Sequence, residues 1–218
     1  MRLVAHEFMS LDGVMQGPGG AEEDATGGFR NGGWVAPAFD DTVGEVVTGW
    51  FARTDALLFG RTTYDMMAAY WPQVTDPEDP VAQRLNTAPK HVVSTTLDAA
   101  SAPWQGTESV IADDVVERIR ALKAEGDGEL QVHGSWQLLQ TLIDEQLLDE
   151  LRLIVFPTVV GRGKRLFDDV ARPSGFEVSD VRVAESGAVS MVLRPVPFRT
   201  ATYEVVDGKE VAVEEDRG

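Results

Sequence analysis

The stretch Asp55-Ala-Leu-Leu-Phe-Gly-Arg-Thr-Thr-Tyr64 decides how the rest of the chain is read. Its apolar run, Ala56 to Phe59, has the length and character of a strand buried on both faces. Gly60 stops the run. Thr62, three residues before Asp65, then predicts a helix opened by a capping box. A strand that passes through glycine into a helix leaves N–H groups without intrahelical partners, and the helix dipole adds partial positive charge there, so such an end suits a phosphate. Arg61 adds a permanent charge with a bidentate fork. The same residues also describe an ordinary capped helix after a core strand, with Arg61 in water. The stretch alone leaves both readings open.

The chain around it has 218 residues, of which 43% are apolar, so it can build a substantial core. With 36 acidic against 19 basic residues the net charge is −17. A surface of that sign repels nucleic acid and anionic membrane, and both are set aside as partners. A phosphorylated ligand stays possible, because helix ends and single arginines act locally. There is no cysteine, hence no disulfide, thiolate metal site or cysteine nucleophile. No run is apolar enough to span a bilayer, and Met1 to His6 runs straight into structure rather than into a signal peptide. A cytoplasmic location is the expectation.

Upstream of the opening stretch, Leu3 to Met9 reads as a strand broken by His6 and Glu7, ending in the turn Ser10-Leu-Asp-Gly13. Gln16 to Gly33 is glycine-rich and without period, and is expected to be a mobile, lid-like loop. Pro37 to Arg53 shows helical spacing, with Asp40, Asp41 and Glu45 around its first turns. Downstream, the helix from Thr62 runs to Trp71 and is stopped by Pro72. A short helix over Pro80 to Asn86 and strands at His91 to Thr96, Ser109 to Ala112 and Glu129 to Val132 follow. Asp114 to Glu117 reads as a capping box and Ser135 as a helix cap. Leu151 to Val160 is a long buried strand interrupted at Pro157. Phe176 to Ala184 and Val189 to Leu193 pair as a hairpin, and Tyr203 to Val213 predicts another around Asp207-Gly208. The order is β, repeated β-α, then antiparallel β. It argues for a three-layer α/β/α domain with a mixed central sheet and antiparallel C-terminal strands.

Three places share one design, a short apolar strand followed by small or hydroxyl residues at a turn or helix start: Phe59 to Thr63, Val93 to Thr96 and Val132 to Ser135. In a mostly parallel sheet such ends gather on one edge, where open α/β proteins bind ligands. Three anion-ready ends suggest a dinucleotide, although each alone also fits ordinary capping, and Gly-x-Gly-x-x-Gly is absent. His6, His91 and His133 have no metal-ligand spacing, so no metal is expected. Ser135 lacks the hydrolase elbow Gly-x-Ser-x-Gly. Gly161 to Lys164 lacks the P-loop spacing, and Lys164 or Arg165 is either a substrate-phosphate contact or simply solvated.

The ordered set Ser10 to Gly13, Leu58 to Tyr64, Val93 to Thr95, Val132 to Ser135, Leu148 to Pro157, Gly161-x-Gly163 and Leu166-Phe167 resembles the dihydrofolate reductase superfamily. It is most similar to the C-terminal reductase domain of the bifunctional riboflavin-pathway deaminase–reductase (the RibD C-terminal domain). The match covers Met1 to about Leu193, and implies a dihydrofolate reductase-like domain over 1–198 with an extension, a possible hairpin, over 199–218. The resemblance implies NADPH as hydride donor and favours a homodimer. Gly60, Arg61, Thr62 and Thr63 match the turn that holds cofactor phosphates, and Ser94 and Thr95 the turn beside the adenosine ribose. Gly134, Ser135 and Trp136 match the helix start under the pyrophosphate. His133 departs from the family's glycines there and is either a phosphate contact or a structural histidine. Phe156 and Pro157 are expected near the nicotinamide.

In folate reductases a carboxylate at the start of the helix after the lid delivers or orients the proton. Asp41 and Glu45 occupy that neighbourhood, with Asp40 a third candidate, though acids in a first turn also serve the helix dipole. Asp12 and Gly13 are candidate substrate contacts, with a plain turn aspartate as the alternative. The implied activity is NADPH-dependent reduction of a small heterocycle, either the ribosylaminopyrimidine of riboflavin synthesis or a dihydropterin. No deaminase zinc motif is present. A non-catalytic NADP(H)-binding regulatory module is the competing reading, and a homo-oligomer assembled through the last hairpin a third.

Overall fold

The structure, a computed structural model, describes residues 1–168 and 171–214. Its core is an eight-stranded sheet in the order β4-β3-β2-β5-β1-β6-β8-β7. The first six in that order run parallel: β4 (Thr107–Ile111), β3 (Lys90–Val93), β2 (Thr54–Gly60), β5 (Glu129–His133), β1 (Arg2–Ser10) and β6 (Glu150–Phe156). β8 (Val189–Val196) and β7 (Gly175–Val183) close the sheet antiparallel.

Alternation along the central strands sends successive side chains to opposite layers. Leu3, Ala5, Leu58, Leu130 and Val132 face α4 (Val115–Ala124) and α5 (Trp136–Asp144), meeting Ile119, Leu122, Leu138 and Leu142. On the other face Ile154 and Phe156 meet Val43 and Trp50 of α1 (Asp41–Phe51). Leu57, Phe59 and Val92 meet Tyr64 of α2 (Arg61–Tyr70) and Leu85 of α3 (Pro80–Thr87). Three layers result, because both faces of the sheet are apolar and each needs a helical cover. The last hairpin, β9 (Ala201–Val206) and β10 (Lys209–Glu214), turns at Asp207-Gly208 with φ of 50° and 75°, and forms a separate two-stranded sheet.

Helix starts are where the sequence reading needs correction. α2 begins at Arg61 rather than Thr62, its N-cap is Gly60, and no side chain caps it. Asp114 sits at φ 44° and makes no capping bond, and its supposed partner Glu117 pairs with Arg120. Ser135, at φ 69°, gives α5 no capping bond either. The helices that are capped are α1, where Asp40 accepts from Val43 N–H, and α3, where Asp79 accepts from the N–H groups of Val81 and Ala82. α1 starts at Asp41, after a 3₁₀ turn over Ala36–Ala38.

The glycine-rich segment is folded down rather than free. The Gln16 side chain donates to the carbonyls of Asp24 and Thr26 and accepts from Lys164 N–H. Trp34 Nε1 donates to Gln16 O, and Phe29 and Trp34 are buried. Lys164 pairs with Asp24 at 2.7 Å.

Candidate dinucleotide cleft

The parallel strands β2 and β5 end level with one another, β1 runs past them to Ser10, and this C-terminal edge carries the residues of the opening stretch. α2 leaves β2 through Gly60, and α5 leaves β5 through Gly134-Ser135. The two helix starts lie side by side: Gly60 N–H donates to Ser135 Oγ at 2.7 Å. A Cβ on Gly60 would stand 2.9 Å from both Cβ and Oγ of Ser135, and one on Gly134 would lie 3.5 Å from Thr63. Gly60 (φ −80°) is therefore required by space and not by backbone conformation.

Arg61 bridges to the third strand end. Its Nε bonds both oxygens of Asp65, at 2.9 and 2.7 Å, and its Nη1 donates to Thr96 Oγ1 at 3.1 Å. Ser94 Oγ in turn accepts from the N–H groups of Thr96 and Leu97. The structure thus brings Gly60, Arg61, Thr63, Ser94, Gly134 and Ser135 onto one edge, with Thr62, Thr95 and Trp136 beside them in sequence. Two adjacent helix N-termini without side-chain caps, plus one arginine, form a donor set that fits a pyrophosphate-bearing dinucleotide such as NADPH. Asp65 already shares the Arg61 fork.

The remaining expected residues lie elsewhere. Phe156 is fully buried against Phe8 and Trp34, while Pro157 is exposed beside Gly187. Asp41 is exposed at the start of α1. Asp40 accepts from Ser186 N–H as well as capping α1, and Glu45 pairs with Arg182 at 2.6 Å on the surface. These contacts set Asp40 and Glu45 against the β7–β8 hairpin. Asp12 accepts from Ser10 Oγ and from the N–H groups of Val160 and Gly161. Burial opposes its ionisation, but those bonds outweigh it and hold the carboxyl down to about 2. Asp12 clamps the loop after β6 to the turn after β1, and Gly13 (φ 82°) supplies the left-handed turn position.

Next to the α5 start, the glycine-rich segment and the basic loop enclose an open cavity of about 460 Å³, lined by Gln16, Phe29, Trp136, Arg162 and Lys164 among others. Trp136 Nε1 donates to Arg165 O, which ties α5 to that loop. Arg162 has no ion pair or hydrogen bond among the described residues, so the rim offers a free positive charge.

Under α1 lies a buried ionic cluster that the sequence reading did not anticipate. Arg152, fully buried, donates to Glu150 at 2.6 Å, to both oxygens of Glu129 at 2.9 and 2.7 Å, and to His6 Nε2 at 3.0 Å. Arginine only donates, so His6 carries its proton on Nδ1, the one buried side-chain polar atom without a partner among the described residues. His133 stacks on Phe51 with centroids 4.4 Å apart and bonds Gln131. Burial, then Arg152, pushes its pKa down to about 3. Burial also holds His6 well below the usual histidine range, with His133 and Arg152 adding to it. Both imidazoles are neutral at physiological pH, and His133 is structural, not a phosphate contact. Its position on a strand buried on both faces was the available signal.

The family model for the RibD C-terminal domain matches residues 2–191. The chain is 27% identical over 193 residues to uncharacterized protein YyaP of Bacillus subtilis (strain 168), covering 88% of this chain and 93% of that one. Among solved structures it is similar to the diaminohydroxyphosphoribosylaminopyrimidine deaminase/5-amino-6-(5-phosphoribosylamino)uracil reductase of Thermotoga maritima. That match has TM-score 0.59 and 17% identity over 89% of this chain and 56% of that one. It is also similar to dihydrofolate reductase from Enterococcus faecalis complexed with NADP(H) and RAB-propyl, with TM-score 0.55 and 14% identity over 89% and 96%. With the parallel strand ends, the paired helix starts and this match along nearly its whole length, the chain belongs to the RibD C-terminal domain family, on a dihydrofolate reductase-like fold.

Proposed function

We propose that the protein is an NADPH-dependent reductase of a small heterocycle, with a ribosylaminopyrimidine of the riboflavin pathway or a dihydropterin as the substrate class. The observation that carries this reading is the junction of α2 and α5, where two helix starts without side-chain caps meet through Gly60 and Ser135 beside Arg61. The family supports a reductase, and the similar Enterococcus faecalis protein is described with NADP(H).

When bound, the cofactor supplies hydride from its nicotinamide ring. The protein's part is positioning. Gly60 lets the α2 start sit against Ser135, and the N–H groups of the two helix starts would hold a cofactor phosphate there. Arg61 turns part of its fork from Asp65 towards the ligand. Ser135 Oγ, which accepts the Gly60 N–H, would release it to the bound cofactor. Phe29 and Trp34 anchor the glycine-rich segment over the sheet edge and keep water from the reacting carbon. Asp41, exposed at the start of α1, is the carboxylate assigned to proton delivery on the substrate side. Glu45 joins it only if it releases Arg182. The active form is a homodimer in this reading.

Titration of NADPH fluorescence tests the first half, with saturable binding expected. Loss of nicotinamide absorbance with candidate pyrimidines and pterins tests the second. Binding without turnover of any of them favours a regulatory module, and no binding removes both readings.

A further inference from the structure

β1 carries two ionisable residues in succession, and the pleat sends them to opposite layers. His6 joins Arg152, whereas Glu7 points to the α5 side. Glu7 is 5% exposed, and its Oε1 accepts the Gly134 N–H at 2.9 Å. No other hydrogen bond or ion pair reaches this carboxyl among the described residues.

The charged groups of the neighbouring elements are turned elsewhere. His133 on β5 and Arg152 on β6 meet His6 on the far face. The first turn of α5, Trp136 to Leu139, carries no ionisable side chain. Arg165, in the loop against α5, directs its guanidinium to the carbonyls of Asp12 and Gly161, and Arg61 is held by Asp65. Burial therefore dominates and pushes the Glu7 carboxyl well above the ordinary carboxylate range, with the Gly134 N–H opposing it.

The turn that Glu7 holds is the floor of the dinucleotide cleft. We infer, on the strength of the reductase reading above, that Glu7 is a proton-linked member of that cleft: the Gly134–Ser135 turn receives a phosphate while the carboxyl beneath it keeps its proton. The ionised form disfavours the ligand twice. It places a negative charge under an anion in a low-dielectric setting, and it binds the Gly134 N–H more strongly. Glu7 transfers no proton to substrate. It is a positioning group that sets cofactor affinity. Because the protonated protein binds better, affinity falls as pH rises past the point where Glu7 ionises in the free protein, approaching about tenfold per pH unit.

Glu7→Gln tests this, since glutamine keeps the acceptor for Gly134 N–H and stays neutral. NADPH dissociation constants are measured by fluorescence for both proteins over a pH series running from mildly acidic to alkaline, upward from the ordinary carboxylate range. The ratio of wild type to Glu7→Gln is expected to climb with pH, and Glu7→Ala, also uncharged, is expected to show the same climb. A ratio flat across the range overturns the coupling alone. No NADPH binding by either protein at the lowest pH overturns the reductase reading and the coupling that rests on it. An independent readout uses no ligand: the stability of wild type relative to Glu7→Gln falls as pH rises from the unfolded carboxylate value through the folded one. A difference independent of pH makes Glu7 an ordinary carboxylate and overturns the inference.

Discussion

Gly60 lacks a side chain because of a residue on another helix. Its backbone angles suit any amino acid, but a Cβ would be 2.9 Å from Ser135. Gly60→Ala is expected to push the α2 and α5 starts apart, costing about 1–3 kcal/mol by urea unfolding and weakening NADPH binding. Unchanged stability would show that the junction yields freely. His133 makes a second prediction at this scale. Its pKa falls from 6.5 in the unfolded chain to about 3 in the fold. In that window the unfolded state binds more protons, so stability rises with pH across it and is lost as pH falls from about 6.5 towards 3. His133→Phe keeps a ring on Phe51 and cannot titrate. Its acid-side slope is expected to be shallower by about one proton, measured as unfolding free energy against pH. Of these two residues, Gly60 was legible as part of a glycine turn. A structural role for His133 was among the readings, but its stacking on Phe51 was not legible, because the face a side chain takes depends on which strands flank it.

The helix starts carry the lesson at the scale of elements. Three hydroxyl or acidic residues stand at the right spacing for caps, at Thr62, Asp114 and Ser135, and none caps. Spacing reports what a side chain can reach, but the backbone angle at the cap position is set by the preceding turn. Asp114 and Ser135 are left-handed there, and Ser135 Oγ finds a better-placed donor on α2. Asp40 has extended angles, and it holds both Val43 N–H and Ser186 N–H. Asp40→Ala is therefore expected to cost about 0.5–2 kcal/mol, while Asp114→Ala stays within about 0.5 kcal/mol. Thermal or urea denaturation of the pair distinguishes them, and equal costs would contradict the geometry.

At the scale of the molecule, the last hairpin stands apart. Every residue of β9 and β10 is exposed, with Tyr203 at 73% and Val205 at 77%, and a lone hairpin is marginal in water. Removing the residues after Arg199 is expected to leave the thermal midpoint of the main sheet unchanged. If the hairpin supplies the homodimer contact, light scattering will show a mass near that of one chain, and an unchanged mass places the contact elsewhere. No helix among the described residues is long and apolar enough to cross a membrane.

Local pattern was enough for the architecture. Ala56 to Phe59, Leu130 to Val132 and Leu151 to Phe156 are apolar without interruption or nearly so, and only strands covered on both faces tolerate that, so the parallel core and its helical layers follow from neighbours in sequence. The gathering of the turns on one edge followed in outline, because strand-to-helix turns in a parallel sheet end on the same side. What each polar residue does there depended on groups distant in the chain. Glu7 became a buried acid under Gly134, and Ser135 a partner of Gly60. Asp40 and Glu45 turned to the β7–β8 hairpin. Burial and hydrogen-bond partners are properties of packed neighbours, and no window of sequence contains them.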